Sequence, residues 1–129
     1  NRAELTVDLR SPDSEQLLAM EMALDELLAG MPVLERERLV RLEPMAFDSG
    51  LVDRVAAAAA RQGLSHRRMV SGAGHDAQIL ARVCRAAMVF VPSVAGISHN
   101  VREHTAPADL VAGAEVLAEV LVDLADQSV

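Results

Sequence analysis

The chain has 129 residues and a mass of 13.8 kDa, enough for one ordinary domain, and its 51% hydrophobic and 24% charged residues exclude disorder and a coiled-coil rod. A formal net charge of −7, two Phe, and no Trp or Tyr speak against a protein that grips phosphate backbones or stacks on bases. A single cysteine, Cys84, excludes an internal disulfide framework and fits a reducing cytoplasm, and no apolar run reaches the ~18 residues of a membrane span.

The chain opens at Asn1 without an initiator methionine and is expected to be part of a longer protein. Leu5, Val7 and Leu9 alternate with Thr6, Asp8 and Arg10, which predicts a half-buried strand. Ser11-Pro12-Asp13 predicts a helix start, with a capping side chain and Pro in the first turn. Leu17, Met20, Leu24, Leu27 and Leu28 follow at helical spacing, and Gly30 is a stop. Residues 33–45 hold the charged run Glu35-Arg36-Glu37-Arg38, then Leu39, Val40 and Leu42, between Pro32 and Pro44. A strand with a solvated face is the favoured reading, a short helix the rival.

The second half changes character. An alanine-rich stretch from Ser49 to Gln62 reads as a helix ended by Gly63. Residues 68–70 read as a short strand, Ser71-Gly72-Ala73-Gly74 as a tight turn and residues 75–83 as a helix. The run Ala87-Met88-Val89-Phe90-Val91 predicts a strand covered on both faces. Residues 93–102 form a loop, and Thr105-Ala106-Pro107 opens a last helix with Leu110, Ala114, Leu117, Leu121 and Leu124 on its apolar face. The order is β-α-β, then α-β-α-β-loop-α, with a boundary near residues 47–50. The first part reads as half of a small antiparallel α+β unit, the second as the tail of an α/β sheet domain with chemistry in loops at strand ends.

Three places could carry chemistry. In the turn at residues 71–76, glycines allow close approach of a ligand, and a following helix would offer backbone N–H groups to an anion or a carbonyl oxygen. His75 would there be a neutral, hydrogen-bonding ring. A plain strand-to-helix turn would use the same residues. Gly96-Ile97-Ser98-His99-Asn100 is a loop on which an imidazole could ligate a metal. A histidine that merely bridges backbone groups would look no different, and one ligand makes no site, because zinc takes three or four. His66 and His104 lie in polar, exposed stretches, and no HxxEH, CxxC or paired-His pattern appears. Arg10 has the planar fork that suits a carboxylate, although a contact with Asp8 alone would explain it. Cys84 is read as a core residue.

Taken together, Leu5-Thr6-Val7-Asp8-Leu9-Arg10 with Ser11-Pro12-Asp13, Ser71-Gly72-Ala73-Gly74-His75-Asp76, Met88-Val89-Phe90-Val91-Pro92 and Gly96-Ile97-Ser98-His99-Asn100 closely resemble the C-terminal part of the hydantoinase/carbamoylase family of amidases. That family includes N-carbamoyl-L-amino-acid hydrolases, allantoate amidohydrolases and β-ureidopropionases. The resemblance implies a dimeric enzyme with an aminopeptidase-like α/β catalytic domain holding two divalent metal ions, zinc or sometimes manganese, and an inserted ferredoxin-like α+β lid that makes the homodimer. Residues 1–47 would be the second half of the lid and residues 48–129 the last segment of the catalytic domain. His99 matches a metal ligand, and Gly74 and His75 match substrate-contacting positions. Arg10 matches the lid arginine that pairs with the substrate carboxylate in the partner subunit's site. The general-base glutamate and the other ligands would precede Asn1, so the resemblance implies no catalytic base in these 129 residues. Val101 stands where many relatives have proline, and His104 where others have an acidic or aromatic residue.

The resemblance thus implies a cytoplasmic amidohydrolase in which a metal-activated water attacks linear C–N bonds of N-carbamoyl-L-amino acids or related ureido acids, with no nucleic-acid or membrane partner. A second reading from the residues alone is a noncatalytic module that pairs with a partner through an exposed edge strand.

Overall fold

The computed structural model describes residues 3–33 and 35–126. Among the described residues four α-helices form: α1 (Ser14–Ala29), α2 (Ser49–Arg61), the short α3 (Asp76–Leu80) and α4 (Pro107–Ala125), with a 3₁₀ turn at Val94–Gly96. The chain divides into two compact units, Asn1–Ala46 with Val70–His75, and Phe47–Met69 with Asp76–Val129.

In the first unit, side-chain chemistry sets the start of α1. Asp13, in extended conformation, accepts a hydrogen bond from the Gln16 backbone N–H at 2.9 Å. That satisfies one of the orphan donors of the first turn. Ser11 accepts from the Asp13 N–H at 3.1 Å, and its hydroxyl donates to Gln16 Oε1 at 2.7 Å. The expected start is therefore shifted: Asp13 is the cap, and Pro12 precedes it instead of lying in the first turn. Gly30 ends the helix as expected. Leu17 is the buried residue of α1; Leu27 is 63% exposed. The charged segment that follows is tied to this helix by ion pairs, Arg41 Nε to Glu21 Oε1 at 2.9 Å and Arg36 to Asp25 at 2.6 Å.

The second unit is built on α2 and α4. Asp48 caps α2 by accepting from the Leu51 N–H at 2.8 Å, and both its oxygens accept from Arg85, from Nε at 2.9 Å and Nη2 at 2.8 Å. At the other end, Gly63 adopts φ +70°, the Gly63 N–H donates to Ala60 O at 3.0 Å, and the Leu64 N–H donates to Ala59 O at 2.9 Å. This paired closure at a left-handed residue is why glycine stops the helix there. Ala58 and Ala59 of α2 then pack on Val116 and Val120 of α4, with Val55, Leu64 and Leu124 around them. Alanine on α2 lets the two helices approach closely, and each buried valine contributes roughly 1.5–3 kcal/mol. At the rim Arg61 donates to Glu119 and Asp123, and Gln62 Nε2 donates to Glu119 Oε2 at 2.6 Å.

The expected apolar face of α4 is corrected. Leu110, Leu117 and Leu121 are 52%, 48% and 57% exposed, whereas Val116 and Val120 are buried. At 3.6 residues per turn, the stripe 113/116/120/124 lies about a quarter turn from 110/114/117/121. The helix is apolar over both stripes, and only the first has α2 against it.

The expected strands are also corrected. Among the described residues, the segments at 5–10, 33–45, 68–70 and 87–91 form no strand, and position 34 lies outside the described residues. A strand requires a neighbour about 4.8 Å away that accepts and donates in register, and the described residues supply none. Leu5 is accordingly 84% exposed, and residues 87–91 are half-buried, with Phe90 exposed, instead of covered on both faces. Among the described residues no edge strand for partner pairing forms, for the same reason. The helix expected over 75–83 is shorter and begins at Asp76, so His75 stands before it; residues 81–83 are turns. Cys84 is exposed, not a core residue, because it lies just past α3 in this turn, where its Sγ–H donates to Leu80 O at 3.4 Å. Among the described residues no helix is long and apolar enough to cross a membrane.

The Asp48 cap makes the second unit acid-sensitive. The Arg85 guanidinium, and then the Leu51 N–H, hold the Asp48 carboxyl down at about 2, below its usual 3.8. A carboxylate held low in the folded state stabilises fully above its unfolded value, and that contribution is lost as pH falls from about 4 to about 2. Asp48→Asn keeps a capping oxygen but loses the ion pair. Thermal melts should show the variant several degrees below the parent chain at pH 7, with the gap closing towards pH 2. A gap independent of pH would contradict this assignment.

Candidate functional site

The first unit brings two of the sequence-predicted regions together. Arg10 donates from Nε to Asp8 Oδ1 at 3.0 Å and from Nη2 to Asp8 Oδ2 at 2.6 Å. Its Nη1 donates to Gly72 O at 2.7 Å, 62 residues away. Arg10 is thereby held against the Ser71–His75 turn of its own chain. The guanidinium holds the Asp8 carboxyl below its ordinary range, chiefly through the side-chain hydrogen bond. Three of the five N–H groups of Arg10 are engaged in these contacts.

The turn itself is organised by Ser71. Its hydroxyl oxygen accepts from the Ala73 N–H at 3.2 Å and lies 2.6 Å from His75 Nε2. The His75 ring is thus held over the glycine turn, half-buried, by a residue four positions back. At Gly74, a Cβ would come 3.0 Å from Leu42 Cδ1, which is tighter than ordinary packing, so the backbone runs close to that side chain. Sequence reading singled out Gly74 and His75 and weighed the Asp8–Arg10 contact; it missed the role of Ser71. That role had a signal, since Ser71 stands two residues before an N–H it can accept from, the usual serine turn.

His99 belongs to the second unit and stands on a braced loop. Val94 N–H donates to His104 O at 2.8 Å, closing the loop at its base, and Ser93 Oγ donates to Ile97 O. His99 itself has φ +54°, and its backbone N–H donates to Glu103 Oε2 at 2.8 Å. Asn100 accepts from the Arg102 N–H at 3.0 Å through its side chain. A non-glycine residue at positive φ is uncommon and is held there by its surroundings; here Glu103 supplies the hold. The imidazole is exposed. His66 Nδ1 lies 3.0 Å from Leu64 O, a local contact that explains that ring.

Among the described residues, no three His, Cys, Asp or Glu side chains stand close enough to hold a metal ion. These residues do not make a metal site by themselves. What they offer is the exposed imidazole of His99 on a loop braced by hydrogen bonds among residues 93–104.

The family model for peptidase family M20/M25/M40 matches residues 12–123, and the chain belongs to that family. Its relatives narrow the resemblance. It is 38% identical to an N-carbamoyl-L-amino-acid amidohydrolase of Rhizobium meliloti over 94% of this chain and 30% of that protein. It is 34% identical to an allantoate amidohydrolase of Bacillus subtilis (strain 168), over 96% of this chain and 31% of the relative. A solved structure of an amidase of the hydantoinase/carbamoylase family from Burkholderia vietnamiensis superposes with a TM-score of 0.77 at 44% identity, covering 87% of this chain and 28% of that one. The resemblance read from the motifs is borne out. The chain spans about 30% of the length of the curated relatives it matches.

Proposed function

We propose that the chain is the C-terminal part of a metal-dependent amidohydrolase that hydrolyses linear C–N bonds of N-carbamoyl-L-amino acids or related ureido acids such as allantoate. The observation that carries this reading is the Arg10–Gly72 hydrogen bond, which sets a guanidinium beside the Ser71–His75 turn. A planar fork held in place suits the carboxylate of such a substrate, and a hydrogen-bonding ring on a glycine turn suits its polar carbonyl. The names of the relatives, which act on an N-carbamoyl amino acid and on allantoate, support the same chemistry.

In this reading Arg10 holds the carboxylate of the substrate bound in the partner subunit's site. The backbone at Gly74 and the His75 ring contact the ureido group, with His75 a hydrogen-bond donor to the developing oxyanion. His99 contributes one imidazole to a divalent-ion site, two ions of zinc or manganese in the whole enzyme. Such ions, when bound, supply Lewis-acid activation of water. Residues 1–47 are half of a lid through which the whole enzyme dimerises, and residues 48–129 belong to its α/β catalytic domain. The general base lies outside these residues.

The reading is tested on the whole enzyme with a panel of N-carbamoyl-L-amino acids, allantoate, ureidoglycolate and dipeptides. Hydrolysis of at least one ureido acid, well above hydrolysis of any dipeptide, is the expected result. Cleavage of dipeptides alone would overturn it.

A further inference from the structure

We propose that Asp8 is a positioning residue that, together with the Gly72 carbonyl, fixes the Arg10 guanidinium for a carboxylate ligand. The inference rests on the reading of Arg10 as the carboxylate-binding group. Asp8 lies side-on to Arg10, with one carboxylate across Nε and Nη2: Nε to Oδ1 at 3.0 Å, Nε to Oδ2 at 3.1 Å and Nη2 to Oδ2 at 2.6 Å. Gly72 O takes one N–H of Nη1 at 2.7 Å. Because a single carboxylate spans Nε and Nη2, the Nη2–H it uses is the one on the Nε side. The second Nη2–H therefore lies on the Nη1–Nη2 edge, the other edge of the fork that can receive a carboxylate. One N–H remains on each η nitrogen after the three contacts are counted.

Two opposing effects decide what Asp8 does to a bound acid. Its negative charge beside Arg10 repels an incoming carboxylate. Its hydrogen bonds remove rotamer freedom from a long side chain before the ligand arrives. Both side chains are about 60% exposed, so water and salt screen the repulsion strongly. The orientational gain is not screened. Arg10 is anchored from two directions, by a carboxylate two residues back and by a carbonyl in the Ser71–His75 turn, and the second anchor fixes its distance from that turn. Positioning is the larger effect, so losing Asp8 weakens the grip on the acid.

The test is steady-state kinetics of the whole enzyme on its best ureido acid and on the analogue whose carboxylate is replaced by carboxamide. Asp8→Asn and Asp8→Ala are compared with the parent enzyme, with Arg10→Gln as reference. Asp8 is exposed and forms no part of a packed cluster, so both variants keep the fold. The expected result is a rise in KM for the acid of about 3- to 10-fold, kcat within about twofold, and no change for the carboxamide. An unchanged or lowered KM for the acid would overturn the proposal, as would equal losses on acid and carboxamide, the pattern of a merely structural role. If Arg10→Gln raises KM for the acid while the Asp8 variants do not, only the positioning role of Asp8 fails. If Arg10→Gln also leaves KM unmoved, the carboxylate-binding reading of Arg10 fails, and the positioning role falls with it.

Discussion

Replacing His99 with asparagine in the whole enzyme should lower hydrolysis of its ureido substrate by at least about 100-fold and reduce bound divalent metal. The magnitude follows from ligand chemistry. Substitutions in groups that only support a metal ligand already cost about 10- to 100-fold, and His99 is proposed as a ligand itself. Asparagine is chosen because it tolerates the left-handed backbone that His99 adopts at φ +54°. The backbone N–H to Glu103 hydrogen bond survives the change, and the side chain is exposed, so the melting temperature should barely move. Chelator treatment of the parent enzyme should abolish turnover, and added zinc or manganese should restore it. The same addition should not restore the variant. Parent-like activity and metal content in His99→Asn would remove this residue from the metal site.

The parts of the fold that were legible in the sequence are those settled within a few residues. Gly63 reads as a stop because the closure it makes involves only Ala59, Ala60 and Leu64. Asp13 caps α1 by accepting from the Gln16 N–H three residues on, and the error there was small: the helix starts after Asp13, so Pro12 lies before the cap instead of in the first turn. Strand pairing is different. The alternation at Leu5, Val7 and Leu9 states that one face wants burial, but burial requires a partner segment, and no described residue provides one. An alternating pattern is thus a demand on the rest of the chain and not a property of the segment. The same holds for α4, whose composition offered two apolar stripes and could not say which would meet α2.

The candidate site shows the same division. Asp8 and Arg10 are two residues apart, and their pairing was foreseen as the simpler explanation of Arg10. The Gly72 contact was not, because 62 residues separate the partners and nothing local announces it. That contact is also the more informative, since it joins two motifs that the sequence treated separately. Cys84 failed as a core residue because an apolar side chain in a turn after a five-residue helix has nothing to pack against.

Gly113 supplies the second large effect. It sits inside α4, where glycine costs about 1 kcal/mol relative to alanine, so exchange for alanine should stabilise the helix if propensity alone mattered. The packing reverses the sign. A Cβ at this position would stand 2.4 Å from Cγ1 of Val91, far inside contact distance. Val91 is β-branched, so its methyl cannot swing aside without leaving its preferred rotamer. Either the 87–91 segment must move away from α4 or α4 must tilt off α2, where Val116 and Val120 fill the core. Overpacking of this kind costs about 1–3 kcal/mol, which outweighs the propensity gain. Gly113→Ala should therefore lower stability, by up to roughly 2 kcal/mol after that gain is subtracted, read from chemical denaturation of the chain. Val91→Ala alone should also destabilise, by losing apolar contact. The two changes together should be less harmful than their sum, because the methyl added at 113 occupies the space vacated at 91, and the coupling should be about 1 kcal/mol or more. Strict additivity would show that α4 and the 87–91 segment do not meet at this point.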